Sequence, residues 1–371
     1  MIGIGLFVSD AFRGWSDNYP DYNKSNLGPQ EYDELGRFTL EDYDAQRAFS
    51  DFLPGLAGIY GKPLYAFYTN RGQGIASFGI KSKEYPILEF KSANKAYQNT
   101  ALLGFRTFLQ GSRGNNHFTI EPFGALTTRF PDKTLDYALT SQGLPANFYL
   151  PKRKMFIGDN EMQLNEFDSV HNIETNVTYF VLPEEDFGAF VRRTTITNTA
   201  NKGDSLKLSV LDGLARMEPA GGKLDVYLKD IGTTLEGFMN VYFPYKGSIG
   251  MPFFRLSVQP SDSEKVHAQE AGHYCLSMIE GDTSTLLPII YDPSKIFGDD
   301  TSLIRPVSLM SRSISDIIKE PQYGAARTPS AFAAGKLETL VGVLDSILSF
   351  RTHSIYTNTA ACSHLQWTRS L

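Results

Sequence analysis

Apolar and polar residues alternate with a period of two through much of the chain, which is the pattern of half-buried β-strands. The clearest case is residues 64–69, where Tyr65, Phe67 and Thr69 alternate with the residues between them. Residues 70–74 (NRGQG) interrupt the pattern and residues 75–80 resume it, which predicts a β-hairpin. Similar segments are predicted as strands at 117–121, 135–139, 147–150, 154–157, 161–164, 174–182, 188–198, 205–211, 253–258, 273–278 and 286–290. Short strands separated by turn residues predict a mainly β protein, a large antiparallel β-sandwich with a few short helices.

Three segments favour helices instead. Residues 39–49 place Leu40, Tyr43 and Arg47 at helical spacing, and residues 224–241 have a largely helical apolar pattern. The strongest prediction is a C-terminal helix over 335–350, with an apolar stripe at Leu337, Leu340, Val341, Leu344, Ile347 and Leu348. Residues 3–8 are predicted as an edge strand.

These patterns divide the chain into four parts. We predict an N-terminal extension over 1–48, a β-sandwich domain over 49–310, a loop and linker helix over 311–350, and an irregular tail over 351–371. The tail has neither strand nor helix periodicity, so we expect it to be poorly ordered.

Composition narrows the class of protein. The chain has 371 residues, is 42% hydrophobic and carries a net charge of -6, so it can bury a core and lacks the basic character of a nucleic-acid-binding surface. No apolar run is long enough for a transmembrane helix, and the N-terminus is a poor signal peptide. With only Cys275 and Cys362, a disulfide framework and a cysteine metal site are not expected, and we predict a reducing, cytoplasmic location.

Several blocks of sequence carry a family resemblance. They are FLPGLAG at 52–58, YTNRGQGIASFG at 68–79, PILEFKSANKAYQ at 86–98, LLGFRTFL at 102–109, NIETNVTYFVLPEEDFGAFVRRTTITNT at 172–199, LSVLDGLARMEP at 208–219 and YDPSKIFGDDTSLIRP at 291–306. The chain from about 45 to 310 resembles the N-terminal domain of inverting glycoside phosphorylases, the cellobiose-phosphorylase-like and β-1,3-glucan-phosphorylase-like relatives of glycoside hydrolase families 94, 149 and 161.

The resemblance implies a galactose-mutarotase-like supersandwich that precedes a linker helix and an (α/α)6 catalytic barrel. In the complete enzymes inorganic phosphate, as co-substrate, releases a sugar 1-phosphate from a β-glucoside or β-glucan. The general acid and the phosphate site lie in the barrel, which follows the part of the family that this chain resembles. The resemblance therefore implies a non-catalytic portion without a cofactor or metal, which helps to shape the substrate site and the interface of a homodimer. Its expected partners are an oligosaccharide or β-glucan and the catalytic barrel, with neither nucleic acid nor membrane.

Four residues are candidates for substrate binding. Asn70, Arg71 and Gln73 carry several hydrogen-bond donors in a glycine-containing loop, which suits the recognition of sugar hydroxyls. The competing interpretation is a tight turn whose polar groups bind the backbone. Arg106 lies between aromatic residues and could bind phosphate or a carboxylate, although a structural ion pair with Glu89 or Glu121 is the more common role of such an arginine.

Other candidate chemistry favours structural interpretations. The acidic residues 184–186 are predicted to form a solvated turn. Asp299 and Asp300 are predicted to act as capping or interface groups. Adjacent Arg192 and Arg193 should point to opposite faces of a strand and so cannot form one clamp. No GxSxG, P-loop, dinucleotide-binding or HExxH motif is present.

Three other functions stay open. A free-standing carbohydrate-binding sandwich predicts exposed aromatic side chains on one face. A mutarotase-like enzyme predicts a histidine and a carboxylate in one cleft, for which His171 and Glu174 are the nearest candidates. A non-functional gene fragment predicts an exposed apolar face around residues 337–348.

Overall fold

The computed structural model is built almost entirely from antiparallel strands. It describes residues 30–53, 57–80, 82–124, 151–185, 187–201, 204–218, 221–243, 250–261, 264–279, 282–341 and 348–356. The first strands are β1 Gln30–Tyr32, β2 Phe38–Glu41, β3 Ser50–Leu53, β4 Leu64–Thr69, β5 Ile75–Ile80, β6 Pro86–Leu88, β7 Phe105–Arg113, β8 Asn116–Ile120, β9 Lys152–Ile157 and β10 Glu161–Asp168. The remaining strands are β11 Ile173–Val181, β12 Gly188–Asn198, β13 Ser205–Leu214, β14 Met239–Tyr242, β15 Phe253–Leu256, β16 His273–Tyr274, β17 Leu276–Ile279, β18 Asp282–Leu286, β19 Ile289–Ile290, β20 Ala331–Val341 and β21 Leu348–Tyr356.

The strands form four sheets. The largest has nine strands in the order β1-β2-β9-β10-β11-β12-β21-β17-β18, and the second has five in the order β19-β20-β13-β7-β8. A four-stranded sheet, β3-β4-β5-β6, and a three-stranded sheet, β14-β15-β16, complete the fold. Every strand pairing within the described residues is antiparallel.

One core lies between the nine-stranded sheet and the two sheets that face it. Residues of β10 and β11 alternate strictly between buried and half-buried positions, so the large sheet turns one face inward. Leu164, Val177 and Phe190 of that face share a cluster with Phe78 of the four-stranded sheet and Phe105 of the five-stranded sheet. Two layers of sheet around one apolar core make a β-sandwich.

Short helices cover the second face of the five-stranded sheet. These are α3 Ser294–Phe297, α4 Val307–Ser311 and α5 Ile314–Ile317. Phe108, Leu211 and Phe332 point away from the main core and form a second cluster with side chains of these helices, including Phe297 and Ile317. Neighbouring positions in β7 and β13 are therefore buried on both faces, which explains their long apolar runs.

A buried ion pair joins the two large sheets across the main core. Arg192 of β12 donates to Asp212 of β13 through two bonds, Nε to Oδ2 at 2.9 Å and Nη2 to Oδ1 at 2.6 Å. Thr107 and Thr194 also donate to the Asp212 carboxylate, at 2.5 and 3.0 Å. Because both charges are fully enclosed, the pair is tolerable only with this degree of hydrogen bonding.

The prediction of a mainly β antiparallel fold is confirmed. The hairpin at 64–80 exists as β4 and β5, and the hairpin at 154–164 as β9 and β10. Arg192 is buried while Arg193 is half-buried on the other face, as the alternation predicted. Residues 3–8, 135–139 and 147–150, which were predicted as strands, lie outside the described residues, as do 357–371.

The helix predicted at 39–49 is wrong. Residues 38–41 form β2, and turns follow as far as β3. The Asn70 amide binds the carbonyl oxygens of Tyr43 and Arg47 at 2.8 and 2.9 Å. In a helix the Tyr43 carbonyl would instead accept from the Arg47 N–H. A tertiary hydrogen bond thus replaces the local one that helical spacing suggested.

The C-terminal linker helix predicted at 335–350 is also wrong, because residues 335–341 belong to β20 and residues 348–350 to β21. Strand β20 pairs with β13 on one side and β19 on the other, and β21 lies between β12 and β17 in the nine-stranded sheet. Residues 351–356, expected to be irregular, belong to β21. An apolar stripe at spacing 3 and 4 does not distinguish a helix from a strand in the middle of a sheet. Such a strand is stabilised by pairing with segments that are distant in sequence, on both of its edges.

The helical pattern over 224–241 is only partly confirmed. Helix α2, Leu224–Ile231, ends at Gly232, whose φ of 58° lies in the left-handed region, and a 3₁₀-helix, Gly232–Phe238, leads into β14. Helix α1, Ala93–Leu103, lies between β6 and β7 and was not predicted from the sequence.

The buried ion pair gives a test of the fold. We expect Asp212→Ala to lower the free energy of unfolding by about 3–5 kcal/mol, because it leaves the Arg192 guanidinium buried without its counter-charge. Glu84→Gln is the matched control, since the Glu84–Lys223 pair at 2.8 Å lies at the surface. Urea denaturation measures both. Equal denaturation midpoints for the two variants would contradict the structural role assigned to Asp212.

Candidate functional site

The loop between β4 and β5 carries three of the predicted binding residues. The Asn70 side chain is fully buried, and its Oδ1 accepts from the Phe49 N–H at 2.9 Å while its Nδ2 binds the segment before β3. All of these contacts hold residues 43–49 against the loop. Asn70 therefore acts as the anchor of the preceding turn within the described chain.

Arg71 and the glycines complete that turn. The half-buried Arg71 guanidinium donates to the carbonyl oxygens of Asn70 and Gln46, at 2.7 and 3.0 Å. Gly72 and Gly74 have φ angles of 50° and 82°, a region that favours glycine. A Cβ at Gly72 would also lie 2.8 Å from Ala101 Cα, so helix α1 packs directly on this turn.

Gln73 reaches the centre of the molecule. Its Nε2 donates to Thr107 Oγ1 at 3.0 Å, and its Oε1 accepts from Arg192 Nη2 at 2.5 Å. Its backbone carbonyl accepts from the Tyr179 hydroxyl at 2.9 Å. The structure thus brings Gln73 into the ion-pair network of Arg192.

Arg106 is also buried, and it makes the structural ion pair that the sequence allowed. Its Nε and Nη2 donate to the two carboxylate oxygens of Glu121 at 2.6 and 2.9 Å. It also donates to the carbonyl oxygens of Leu303 and Ile304, the second at 3.1 Å. A substrate-binding role for these four residues stays a prediction, and every contact described for them is with the protein itself.

The histidine and carboxylate candidates separate in space. His171 Nδ1 lies 2.7 Å from Asp168 Oδ2, and Glu174 instead accepts from Asn165 at 2.6 Å. The same Asp168 side chain accepts backbone N–H groups of the β10–β11 turn, and this bonding together with His171 holds its pKa below the ordinary value despite partial burial. His171 and Glu174 thus form separate contacts, as turn and strand residues.

The remaining acidic candidates are turn residues. Glu184 accepts from the backbone N–H groups of Ile59 and Tyr60 at 3.0 and 3.3 Å. Asp300 accepts from the side chain and backbone of Ser302 and from the Arg305 N–H, which lowers its pKa. The contacts of Glu184 and Asp300 agree with the interpretation of these acidic residues as turn and capping groups.

A group of aromatic side chains, two exposed and two half-buried, lies on the outer face of the four-stranded sheet. We call Phe52, Tyr65, Phe67 and Phe90 the aromatic platform. Phe52 of β3 pairs with Phe67 of β4, their ring centroids 5.2 Å apart, and Phe90 stacks on Phe52 at 6.4 Å with an interplanar angle of 23°. Phe52 is 54% exposed and Tyr65 45% exposed, although their strand neighbours are in the main core.

Polar groups border the aromatic platform. Glu89 and Lys91, on either side of Phe90, form an ion pair with each other. In β3, which carries Phe52, Ser50 Oγ accepts from the Tyr97 hydroxyl of α1 at 3.4 Å. Rings surrounded by charged groups and hydroxyls can bind a ligand that is apolar on one face and polar at its edge.

The sequence contained part of this signal. Alternation placed Tyr65 and Phe67 on one face of a predicted strand, but it did not show whether that face was inside or outside. Phe90 follows β6 and meets Phe52 only through the fold.

A buried carboxyl group lies next to the platform segment. Glu218, after β13, is 4% exposed, and its backbone N–H donates to the Ile87 carbonyl at 2.8 Å. Its Oε2 has no hydrogen-bond partner among the described residues. Arg216 Nε is 3.5 Å from Glu218 Oε1, which is close enough for an ion pair but lacks hydrogen-bond geometry.

Burial dominates the electrostatics of Glu218. Desolvation raises the pKa of its carboxyl group from 4.5 to about 7, and the nearby Glu89 carboxylate acts in the same direction. Arg216 and Lys91 oppose the rise. A carboxyl group with such a pKa changes charge near neutral pH, which makes it a candidate functional group.

The described residues contain neither a metal-binding cluster nor a membrane-spanning helix. Within the described ranges, no three histidine, cysteine or acidic side chains lie close enough together to hold a metal ion. Nor does any helix there have the length and apolar character that crossing a bilayer would require.

Comparisons with known proteins give distant likenesses to solved structures only. No protein-family model matches the chain, and no curated protein matches it. Among solved structures, a polysaccharide lyase superposes with a TM-score of 0.39 at 9% sequence identity, over 79% of this chain. The match spans 32% of the lyase chain, about a third of its length. A likeness this distant assigns neither a family nor an activity.

The raised pKa of Glu218 predicts a pH-dependent stability. Because the folded-state pKa, about 7, exceeds the unfolded value near 4.5, the folded state binds the extra proton, and its stability falls as pH rises through that interval. The Glu218→Gln variant removes this loss, so above about pH 8 it should be more stable than the wild type by up to about 3 kcal/mol. Below about pH 4.5 the advantage should disappear.

Thermal unfolding across this pH range measures the effect. Glu34→Gln, at an exposed position in the β1–β2 turn, is the matched control. The pH dependence of its stability should equal that of the wild type. A constant difference between Glu218→Gln and wild type at every pH would show that the Glu218 carboxyl titrates normally in the folded protein.

Proposed function

We propose that this chain is a carbohydrate-binding β-sandwich that serves as the non-catalytic N-terminal part of a glycoside phosphorylase. The observation that carries the proposal is the aromatic platform of Phe52, Tyr65, Phe67 and Phe90 with its polar border. Phe52 and Tyr65 are exposed while Phe67 and Phe90 are half-buried, and an apolar patch at a protein surface commonly marks a binding site.

The shape of a sugar explains why a carbohydrate suits this surface. A pyranose ring presents C–H groups on its faces and hydroxyl groups around its edge. Stacked rings such as Phe52 and Phe90 can cover the apolar face, while Glu89 and Lys91 can exchange hydrogen bonds with the hydroxyl groups. The sugars we propose are β-glucosides or β-glucans, which are the substrates implied by the phosphorylase resemblance.

The proposed role leaves the chemistry to another domain. In the enzymes that this chain resembles, the catalytic barrel binds inorganic phosphate and carries the general acid. The sandwich would bind the oligosaccharide, help to form the substrate site and contribute to a homodimer in the cytoplasm, without a cofactor of its own. Asn70, Arg71 and Gln73 would support this site from within, because their described contacts hold the β4–β5 loop, and Arg106 would hold the five-stranded sheet through Glu121.

Binding of defined sugars to the purified chain tests the proposal. We expect the chain to bind a soluble β-1,3-glucan or a cello-oligosaccharide in isothermal titration calorimetry. The double variant Phe52→Ala/Phe90→Ala should weaken this binding at least about tenfold, since it removes the stacked pair. Tyr32→Ala, an aromatic side chain 65% exposed on the edge strand β1 of the other sheet, is the matched control and should bind as the wild type does.

Two results would count against the proposal. If the wild type binds neither sugar, the platform is not a β-glucan site. If Phe52→Ala/Phe90→Ala and Tyr32→Ala bind as well as the wild type, the sugar binds elsewhere. Circular dichroism of each variant confirms that the comparison is between folded proteins.

A further inference from the structure

Helix α1 covers one end of the face that carries the aromatic platform. Tyr65, Phe67 and Thr69 of β4 share this outer face, because the residues between them belong to the main core. Thr69 is fully buried there, and its Oγ1 donates to Thr100 Oγ1 of α1 at 3.2 Å. Ser50, the partner of Thr69 in β3, is also bonded to α1. We call the platform at this level, next to α1, its closed end.

The chain after β6 forms a wall along one side of the platform. Ser77 of β5 pairs with Phe67 and therefore lies on the same outer face. It is buried, because its Oγ donates to the Glu89 carbonyl at 2.7 Å. The next residue, Phe90, stacks on Phe52. Residues 89–91 thus bound the platform on the side of β5.

The face opens in the direction away from α1. Tyr65 lies two residues before Phe67 in β4, about 7 Å along the strand, and is exposed. Beyond Tyr65, the described part of the β3–β4 loop carries the exposed side chains of Ile59 and Tyr60. Glu184 binds the backbone N–H groups of both residues, which fixes the loop at this end. We call the platform at Tyr65 its open end.

We propose that the aromatic platform binds the end of a β-glucan chain, with the terminal sugar at the closed end and the next sugar on Tyr65. Tyr65 is then the residue that makes the affinity depend on the length of the chain. The inference rests on the proposed sugar site and deepens it, because it names the part of the glucan that the site recognises.

The two walls explain why a chain end fits better than an internal segment. A glucan that continued in both directions along the strands would collide with α1, and one that crossed the strands would meet residues 89–91. A terminal sugar ends at these walls. Its free hydroxyl groups can exchange hydrogen bonds with Lys91 and Tyr97, which lie at the closed end. The rest of the chain leaves over Tyr65.

The first measurement compares a short and a long sugar by isothermal titration calorimetry. Wild type should bind laminarihexaose at least about fivefold more tightly than laminaribiose, because only the longer chain fully covers Tyr65. Tyr65→Ala should reduce this ratio to about twofold or less. Tyr32→Ala, the control on the other sheet, should keep the wild-type ratio.

The second measurement is the stoichiometry of binding to a long, soluble β-1,3-glucan whose chain concentration is known from its reducing ends. The two ends of a glucan differ chemically, so a site that recognises one of them should saturate at one protein molecule per chain. If wild type binds only the cello series, then cellobiose, cellohexaose and hydroxyethyl cellulose replace these three sugars.

The results separate the possible failures. Several protein molecules bound per chain would overturn the recognition of chain ends while leaving the sugar site intact. The same length dependence in Tyr65→Ala as in wild type would overturn the role of Tyr65. Absence of wild-type binding to every sugar would reject the proposed sugar site itself. Circular dichroism verifies that Tyr65→Ala is folded.

Discussion

The architecture depends on a charge pair placed where the two large sheets meet. Burying Arg192 and Asp212 costs several kcal/mol for each ion, and the cost is offset only when nearly every donor and acceptor is satisfied. That condition extends well beyond the pair. Thr107 and Thr194 must supply hydroxyls to Asp212, and Gln73 and Tyr179 must accept from Arg192. Residues from β7, β11, β12 and β13 and from the β4–β5 loop are therefore fixed by one network.

This network explains why the residues richest in hydrogen-bond donors do not form an open binding surface. A loop with the sequence NRGQG has the composition of a sugar site, but it also has the composition of a loop that must satisfy buried carbonyls and a buried ion. The structure uses Asn70 and Arg71 for carbonyls of residues 43–47 and Gln73 for Arg192. The side chains left to solvent on this sheet are aromatic. Binding can then use stacking and leave the polar network undisturbed.

The sequence was informative wherever one face of a strand is buried and the other is not. Strands β10 and β11 alternate strictly, so both were predicted as strands, although β10 continues to Asp168, beyond its predicted end at Leu164. The sequence-based prediction failed at β20 and β21, where pairing with distant strands determines the structure. It also failed at residues 39–49, where the Asn70 amide binds the Tyr43 carbonyl that would accept a backbone hydrogen bond in a helix. Of the candidate site, the alternation of Tyr65 and Phe67 was visible, and so was Glu121 as a partner of Arg106. The meeting of Phe52 with Phe90 and of Glu218 with Ile87 joins segments that are far apart in sequence, and no local pattern encodes it.

Two of the buried carboxylates, Asp212 and Glu218, differ in how well their charges are compensated. Asp212 accepts four described hydrogen bonds and forms an ion pair with a guanidinium at bonding distance. Glu218 has a weaker arginine contact at 3.5 Å, one oxygen without a described partner and a pKa of about 7. Selection for stability alone would favour an uncharged acceptor at this position. The Glu218 carboxyl group thus lacks the partners that make the charge of Asp212 tolerable in the core, and desolvation favours its neutral form.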